Sequence, residues 1–180
     1  MRLHRDDYTT PLIKQTIVER VRFGQLLLLP VFELILFVTP IYATDFTGRV
    51  ISVLDGDTIE VLHNRHPERI RLQGIDCPER GQAFGTKAKQ ATSALVFGKE
   101  VTVKDHGRDR FGRTIGTVVM PEGTNVNHDL LKTGMCWWYR KYAPGDSNLE
   151  RLEKDAREGK KGLWADPQPV PPWEWRKRSR

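Results

Sequence analysis

The sequence predicts an α+β domain, rich in short strands and of a size that suits a small closed barrel. Three observations carry this prediction. Five short stretches between residues 47 and 119 alternate apolar and polar side chains, the period of a half-buried strand. A helical stripe, Phe84, Ala88, Ala91 and Leu95, is inserted between the third and the fourth. Two more helical patterns follow the fifth, and short strands with an inserted helix and terminal helices fit closure into a barrel.

The first two strands, 47–54 and 57–63, flank Asp55-Gly56. An Asp-Gly pair between alternating runs is a strong hairpin signal, with Gly56 expected to supply a positive φ. A turn explains Asp55 and Gly56 but not Asp57, a second carboxylate that repels the first unless a cation or basic group lies near. The third strand, 69–75, places Arg69, Arg71 and Gln73 on one face and Ile70 and Leu72 on the other. It runs into Asp76, Pro78 halts the ladder, and Glu79 lies just beyond. Gly98 ends the inserted helix. The fourth strand, 100–104, and the fifth, 114–119, are joined through Arg108-Asp109-Arg110-Phe111-Gly112-Arg113. Asn125 or Asn127 can cap a short helix carrying Val126, Leu130 and Leu131, stopped by Gly134. A last helix aligns Leu149, Leu152 and Ala156 and ends at Gly159 or Gly162.

Three parts follow: residues 1–43, a domain over 44–165 and a tail over 166–180. The first part carries an apolar run, Leu26 to Ala43, after Arg20 and Arg22 and before a small-residue site near Ala43. That order resembles an export signal, but Glu33, Pro30 and Pro40 inside the run also fit an uncleaved membrane anchor or a mis-assigned start. A signal or an anchor makes the protein secreted or periplasmic, with membrane contact through residues 26–43. The tail is rich in proline, holds Trp173 and Trp175, and ends Arg-Lys-Arg-Ser-Arg. It reads as an extended arm, whether docked by its tryptophans or touching nucleic acid.

Lys and Arg outnumber Asp and Glu by 29 to 23, giving +6 and a pI near 9.5. This balance suits a polyanionic partner without deciding for one. Two cysteines, Cys77 and Cys136, are too few for a disulfide framework and have no zinc spacing. Unpaired, packed thiols are the default, and pairing in an oxidising compartment stays open.

Asp-Gly-Asp-Thr at 55–58, Arg-Leu-Gln-Gly-Ile-Asp-Cys-Pro-Glu at 71–79 and Asp-Arg-Phe-Gly-Arg at 109–113 follow one another in this order. Together they resemble the thermonuclease, or staphylococcal-nuclease-like, family over about Thr47 to Trp164, and three linked motifs are far more specific than any one. The resemblance implies a five-stranded OB-like barrel with about three helices.

The residues themselves suggest metal-assisted phosphodiester chemistry, which needs charge neutralisation, a positioned water and a proton acceptor. Asp57 and Asp76 offer hard oxygens with no His or Cys thiolate pattern, which favours Ca²⁺ or Mg²⁺ over Zn²⁺. The resemblance selects Ca²⁺, held by Asp57, Asp76 and the Cys77 backbone carbonyl, with Asp55 behind them. It makes Glu79 the base, and Arg71 and Arg113 the donors to phosphate. Arg110 and Phe111 sit in the substrate loop. The family usually has Tyr where this chain has Phe111, so a ring is kept and a phenolic hydrogen bond is lost. Trp137, Trp138, Tyr139 and Tyr142 form a dense aromatic cluster interleaved with Arg140 and Lys141; Tyr139 or Tyr142 is expected to touch substrate, while Trp138 can be core.

The expectation is therefore a monomeric, calcium-dependent endonuclease acting on DNA and RNA, preferably single-stranded, that leaves 3′-phosphates. Its rivals are a binding-only OB-like module and a membrane-tethered interaction domain. The binding-only rival should have lost an acidic ligand or the base, and here all are present.

Overall fold

Alternation in the sequence becomes a barrel whose inner face is almost entirely β-branched. The computed structural model describes residues 44–178. The expected export signal or anchor lies outside these residues, and among them no helix is long and apolar enough to cross a membrane. The order is β1 (Phe46–Asp55), β2 (Thr58–His63), β3 (His66–Leu72), β4 (Ile75–Asp76), α1 (Gly85–Val96), β5 (Glu100–Arg108) and β6 (Thr114–Val119). Then come α2 (Val126–Lys132), β7 (Trp137–Trp138), α3 (Ser147–Glu158), a 3-10 turn at Gly162–Ala165 and α4 (Pro172–Arg178).

Five strands close in the order β1-β2-β3-β6-β5. The β3–β6 pair is parallel, with Ile70 opposite Thr114 and Arg71 opposite Ile115, while the other pairs are antiparallel. Val50, Ile59, Val61, Ile70, Val101, Val103 and Val118 point inward and are buried. Each such side chain contributes roughly 1.5–3 kcal/mol by leaving water. Helix α1 covers one end of the barrel with Ala88, Thr92 and Val96. Helix α2 is capped by Asn125, whose side chain accepts from His128 N. Asn127, the other capping candidate, is instead buried: it accepts from Val118 N at 3.0 Å and donates to the Gln73 and Gly116 carbonyls.

The third strand departs from expectation. It starts earlier and stops at Leu72, because Gly74 adopts φ 75° and turns the chain out of the barrel. Ile75 and Asp76 then pair with Trp138 and Trp137 in a separate two-stranded ladder. That ladder carries the Asp76 backbone out of the barrel sheet, and Tyr139 N extends it by donating to Gly74 O at 2.8 Å.

Two further expectations are corrected. Cys77 and Cys136, the residues preceding Pro78 and Trp137, form a disulfide. The β4–β7 ladder brings their Cα atoms to 4.1 Å, and only that pairing makes the bond possible. The tail, expected as an extended arm, is extended only as far as Pro171, and Pro172 starts a fourth helix. Proline at the first helical position, Glu174 in the first turn and three basic residues in the last turn all favour helix there.

Candidate active site

The turn after β1 is the hub. Asp55 Oδ1 accepts from Asp57 N at 3.2 Å, the bond of an Asx turn. Gly56 is not in the left-handed region, contrary to the turn chemistry expected from Asp-Gly. Its lack of a side chain serves space: a Cβ there would lie 2.6 Å from Cys77 Cβ and 2.9 Å from Ala88 Cβ. The turn is pressed between the disulfide and α1, and Thr92 Oγ1 ties it to the helix by donating to Gly56 O at 2.6 Å.

This packing fixes Asp57. Its Oδ2 accepts from Cys77 N at 2.7 Å and its Oδ1 from Thr58 Oγ1 at 3.3 Å. Asp76, presented by β4, is 1% exposed and Asp57 is 6% exposed. Arg71 lies between them, its Nη2 3.1 Å from Asp57 Oδ2 and 2.9 Å from Asp76 Oδ1. Its Nη1 donates to the Leu72 and Ile75 carbonyls, both at 2.8 Å. Arg71 was expected to offer its fork to phosphate; here both Nη groups hold protein oxygens and brace the carboxylates. Burial pushes the Asp57 carboxyl up to about 7; Arg71 pulls it down, Asp55 and Asp76 push it up, and the Cys77 N–H pulls it down. Arg71 thus faces two buried carboxylates at once.

Glu79 follows on the loop after Pro78 and is partly exposed. Gln82 shapes that loop: its Oε1 accepts from Glu79 N, and its own N–H donates to Glu79 O, both at 3.0 Å. The Glu79 carboxylate is engaged by Arg176 of α4, whose Nη1 donates to Glu79 Oε1. The same guanidinium grips Asp76, with Nη2 2.7 Å from Oδ2 and Nη1 3.3 Å from Oδ1. Burial alone would lower the Arg176 guanidinium, but its bonds to Asp76 and Glu79 raise it well above the ordinary arginine range. Arg176 is not among the residues that the sequence points to, because the tail reads there as an arm; the Pro172 helix-start signal places it on a helix.

The Arg108–Arg113 loop is built differently. Asp109 accepts from Phe111 N at 2.8 Å and Arg113 N at 3.0 Å, and both arms of the Arg113 guanidinium pair with its Oδ2, at 2.8 and 2.7 Å. Burial opposes ionisation of Asp109, but the bonds from Arg113 and Phe111 together hold its carboxyl below the usual range. Arg113 therefore points back into its own loop, and among the described residues it makes no ion pair with Asp57, Asp76 or Glu79. Phe111 is 68% exposed, with Arg110 4.7 Å above its ring.

Of the aromatic cluster, Trp137 and Trp138 are buried, as allowed for Trp138. Buried Glu153 holds Trp138 N at 3.0 Å and Arg140 at 3.0 Å. Tyr142 is exposed, whereas Tyr139 is stacked against Trp173 of α4, centroids 5.5 Å apart and planes 3° off parallel.

The donor set fits a hard divalent cation that keeps water ligands. Two adjacent buried carboxylates on rigid elements supply hard oxygen donors, each now paired with a guanidinium that an ion would have to displace or join. Among the described residues no group of three or more His, Cys, Asp and Glu side chains gathers as a metal cage. Cys77, being in a disulfide, has no thiolate to offer; only its backbone carbonyl can serve.

Comparison with known proteins agrees with this architecture. Residues 69–166 match the family model described as "Staphylococcal nuclease homologue". An "Uncharacterized endonuclease" of Escherichia coli O157:H7 is 47% identical over 145 residues, covering 81% of this chain and 94% of the relative. A "Micrococcal nuclease" of Shigella flexneri is 46% identical over 145 residues, 76% of this chain and 83% of that protein. A "Probable staphylococcal-like nuclease CAN1" of Oryza sativa is 41% identical over 121 residues, 67% of this chain and 35% of the plant protein. With the closed five-stranded barrel, the family match and relatives of this identity over most of the chain, the protein belongs to the staphylococcal nuclease homologue family.

Proposed function

We propose that this family member is a metal-dependent endonuclease that hydrolyses phosphodiester bonds of DNA and RNA with little sequence preference. The observation that carries the reading is the pair of buried carboxylates, Asp57 and Asp76, braced by Arg71 with Glu79 three residues downstream. The names of the relatives, endonuclease and micrococcal nuclease, point the same way.

Asp57 and Asp76, with the Cys77 carbonyl, would hold the ion, and Asp55 would orient the Asp57 backbone. Ca²⁺ is put ahead of Mg²⁺ on the family resemblance, since two carboxylates and a carbonyl completed by water would by themselves suit either ion. When bound, the ion would act as a Lewis acid toward a phosphoryl oxygen. Glu79 takes a proton from the attacking water as its oxygen bonds to phosphorus, and the P–O5′ bond breaks, the departing 5′ oxygen taking a proton from solvent, to leave a 3′-phosphate and a 5′-hydroxyl. Arg71 and Arg113 donate to the phosphate as charge gathers on its oxygens, which requires Arg113 to turn from Asp109 and Arg71 to release one of the oxygens its Nη groups hold. Tyr142, Phe111 and Arg110 offer exposed faces for unpaired bases, so single strands are the preferred substrate and a monomer suffices.

The test uses the full chain and one oligonucleotide. Single-turnover cleavage should require Ca²⁺ and stop in excess chelator. Glu79→Gln should lower the rate by roughly 10²–10⁴-fold while equilibrium binding stays within a few fold. Cleavage surviving chelation, or surviving Glu79→Gln within about tenfold, overturns the mechanism.

We also propose export to the periplasm or medium, whether by a cleaved signal or an anchor within residues 26–43. Its support is the basic-then-apolar order of the leader and the Cys77–Cys136 disulfide, a bond that persists in oxidising compartments. Amino-terminal sequencing of protein from the cell envelope or medium tests it; recovery of the chain only from reducing cytosol overturns it.

A further inference from the structure

Beyond the 3-10 turn, the chain returns across the mouth of the site. Gln82, which shapes the Glu79 loop, donates from Nε2 to Val170 O at 2.6 Å and so fastens the incoming tail. Pro172 is buried, and Trp173 lies on Tyr139 and edge-on to Trp137 at 5.6 Å. Three residues on, one helical turn, Arg176 reaches Asp76 and Glu79. Two independent contacts of one short helix thus fall on two parts of the candidate site: a ring expected to stack a base, and the carboxylates expected to take a cation and a proton.

We propose that α4 is an autoinhibitory strap, with Arg176 standing in for the divalent cation at Asp76 and Glu79 and Trp173 standing in for a base on Tyr139. The proposal rests on the reading of Asp76 as metal ligand and Glu79 as base. Its physical core is competition for lone pairs. Asp76 Oδ1 already accepts from Arg71 and Arg176, and Oδ2 accepts from Arg176 at 2.7 Å. A guanidinium spread across both oxygens leaves little for a metal and repels a second positive charge at contact distance. Glu79 Oε1 accepts from the same guanidinium, which occupies the oxygen that an attacking water would have to reach. Divalent cation and nucleic acid must therefore lift α4 before the site can work.

The strap has the properties of a displaceable part. Helix α4 spans seven residues, too few to persist without docking. Its arginine is 37% exposed at the side chain and Glu79 36%, so water and ions reach that pair, whereas Asp76 beneath is 2% exposed. Arg176, Lys177 and Arg178 at its end give it the sign that a carboxylate site attracts and that a polyanion can draw away.

Calcium titration of the full chain by calorimetry, without substrate, tests the strap. If α4 is closed most of the time, the apparent dissociation constant is raised by the closed fraction. Arg176→Ala should then bind Ca²⁺ roughly tenfold or more tightly, and Arg176→Gln should do the same if the alanine variant folds poorly. Trp173→Ala is the decisive partner, because it leaves every charge at the carboxylates in place and loosens only the docking. It should tighten Ca²⁺ binding by several fold, with circular dichroism showing the barrel intact. Tightening in Arg176→Ala but not in Trp173→Ala means a local charge effect and overturns the strap. Unchanged or weaker binding in both variants also overturns it, leaving Arg176 a support of Asp76, while the metal-dependent nuclease reading stands. Absence of Ca²⁺ binding in the parent and in Arg176→Ala overturns the strap and that reading together.

Discussion

Arg71 and Arg113 carry the same group toward the same proposed phosphate, but their surroundings are opposite. Arg71 is 15% exposed at the side chain and spends its Nη donors on two carbonyls and two buried carboxylates, on a strand inside the barrel sheet. Arg113 is 27% exposed and pairs with one carboxylate four residues back in its own loop. The first arginine belongs to a network that also includes a disulfide, a two-stranded ladder and the Asp57 bond to Cys77 N. Closing a chain of 59 residues, that disulfide contributes about 4 kcal/mol on the chain-entropy account. The second arginine belongs to a turn shaped almost wholly by Asp109. The carboxylate side of the site is therefore part of the fold, and the loop side is attached to it. On the proposed function, preorganised charge sits where the ion would bind, and adaptable donors sit where a mobile polyanion would enter and leave.

The sharpest way to break this comparison is to remove one group from each side. Asp76→Ala leaves Arg71 and Arg176 without their shared partner. It should cost about 3 kcal/mol of stability, reduced where the loss of a like charge relieves Asp57, and should abolish measurable Ca²⁺ binding and turnover. Arg113→Ala removes a rim pair and should change stability by less than about 1 kcal/mol, leave Ca²⁺ affinity unchanged and lower turnover by roughly 10²–10³-fold. Thermal melts, calcium titration and single-turnover cleavage separate the two. Equal loss of melting temperature in both variants would show that the loop is as much a part of the fold as the ladder.

What could be read from the sequence follows the same division. The alternation of Val50, Ile59, Val61, Ile70, Val101, Val103 and Val118 and the Ala88 stripe are local periodicities, so barrel strands and α1 were legible. Asp57, Asp76 and Glu79 were legible because three short motifs kept their order and their residue types. The reason for Gly56 was not legible. Its turn looks like a matter of φ, whereas the constraint is the approach of Cys77 and Ala88 from distant parts of the chain. The disulfide was hidden for a related reason, since Cys77 meets Cys136 only through a ladder of two residues per strand. Buried Glu153, which holds Trp138 N and Arg140, looks in sequence like any solvent-facing helix carboxylate. Arg176 was hidden deepest. Nothing local distinguishes it from Lys177 and Arg178 beside it, and only docking of Trp173 turns it toward Asp76.

The smallest expected effect sharpens the comparison from the loop side alone. Phe111 is 68% exposed and is touched by Arg110 and Arg113 through its ring face, so its edge is open to water. Phe111→Tyr adds a hydroxyl at that edge without removing a contact, and stability should stay within about 0.5 kcal/mol. A hydrogen bond from a phenol to a charged phosphate contributes about 1.5–3 kcal/mol when shielded and less at an open rim. The expected gain is therefore a KM lower by a few fold to roughly tenfold on an oligonucleotide bearing a terminal phosphate. On the same oligonucleotide without that phosphate, KM should not move, and kcat should be equal on both, because the hydroxyl binds a group that does not react. Steady-state kinetics on the two oligonucleotides are enough to decide it. A change in kcat of the size seen with Arg113→Ala would place the 111 ring edge at the reacting phosphate and join the loop tip to the chemistry rather than to binding.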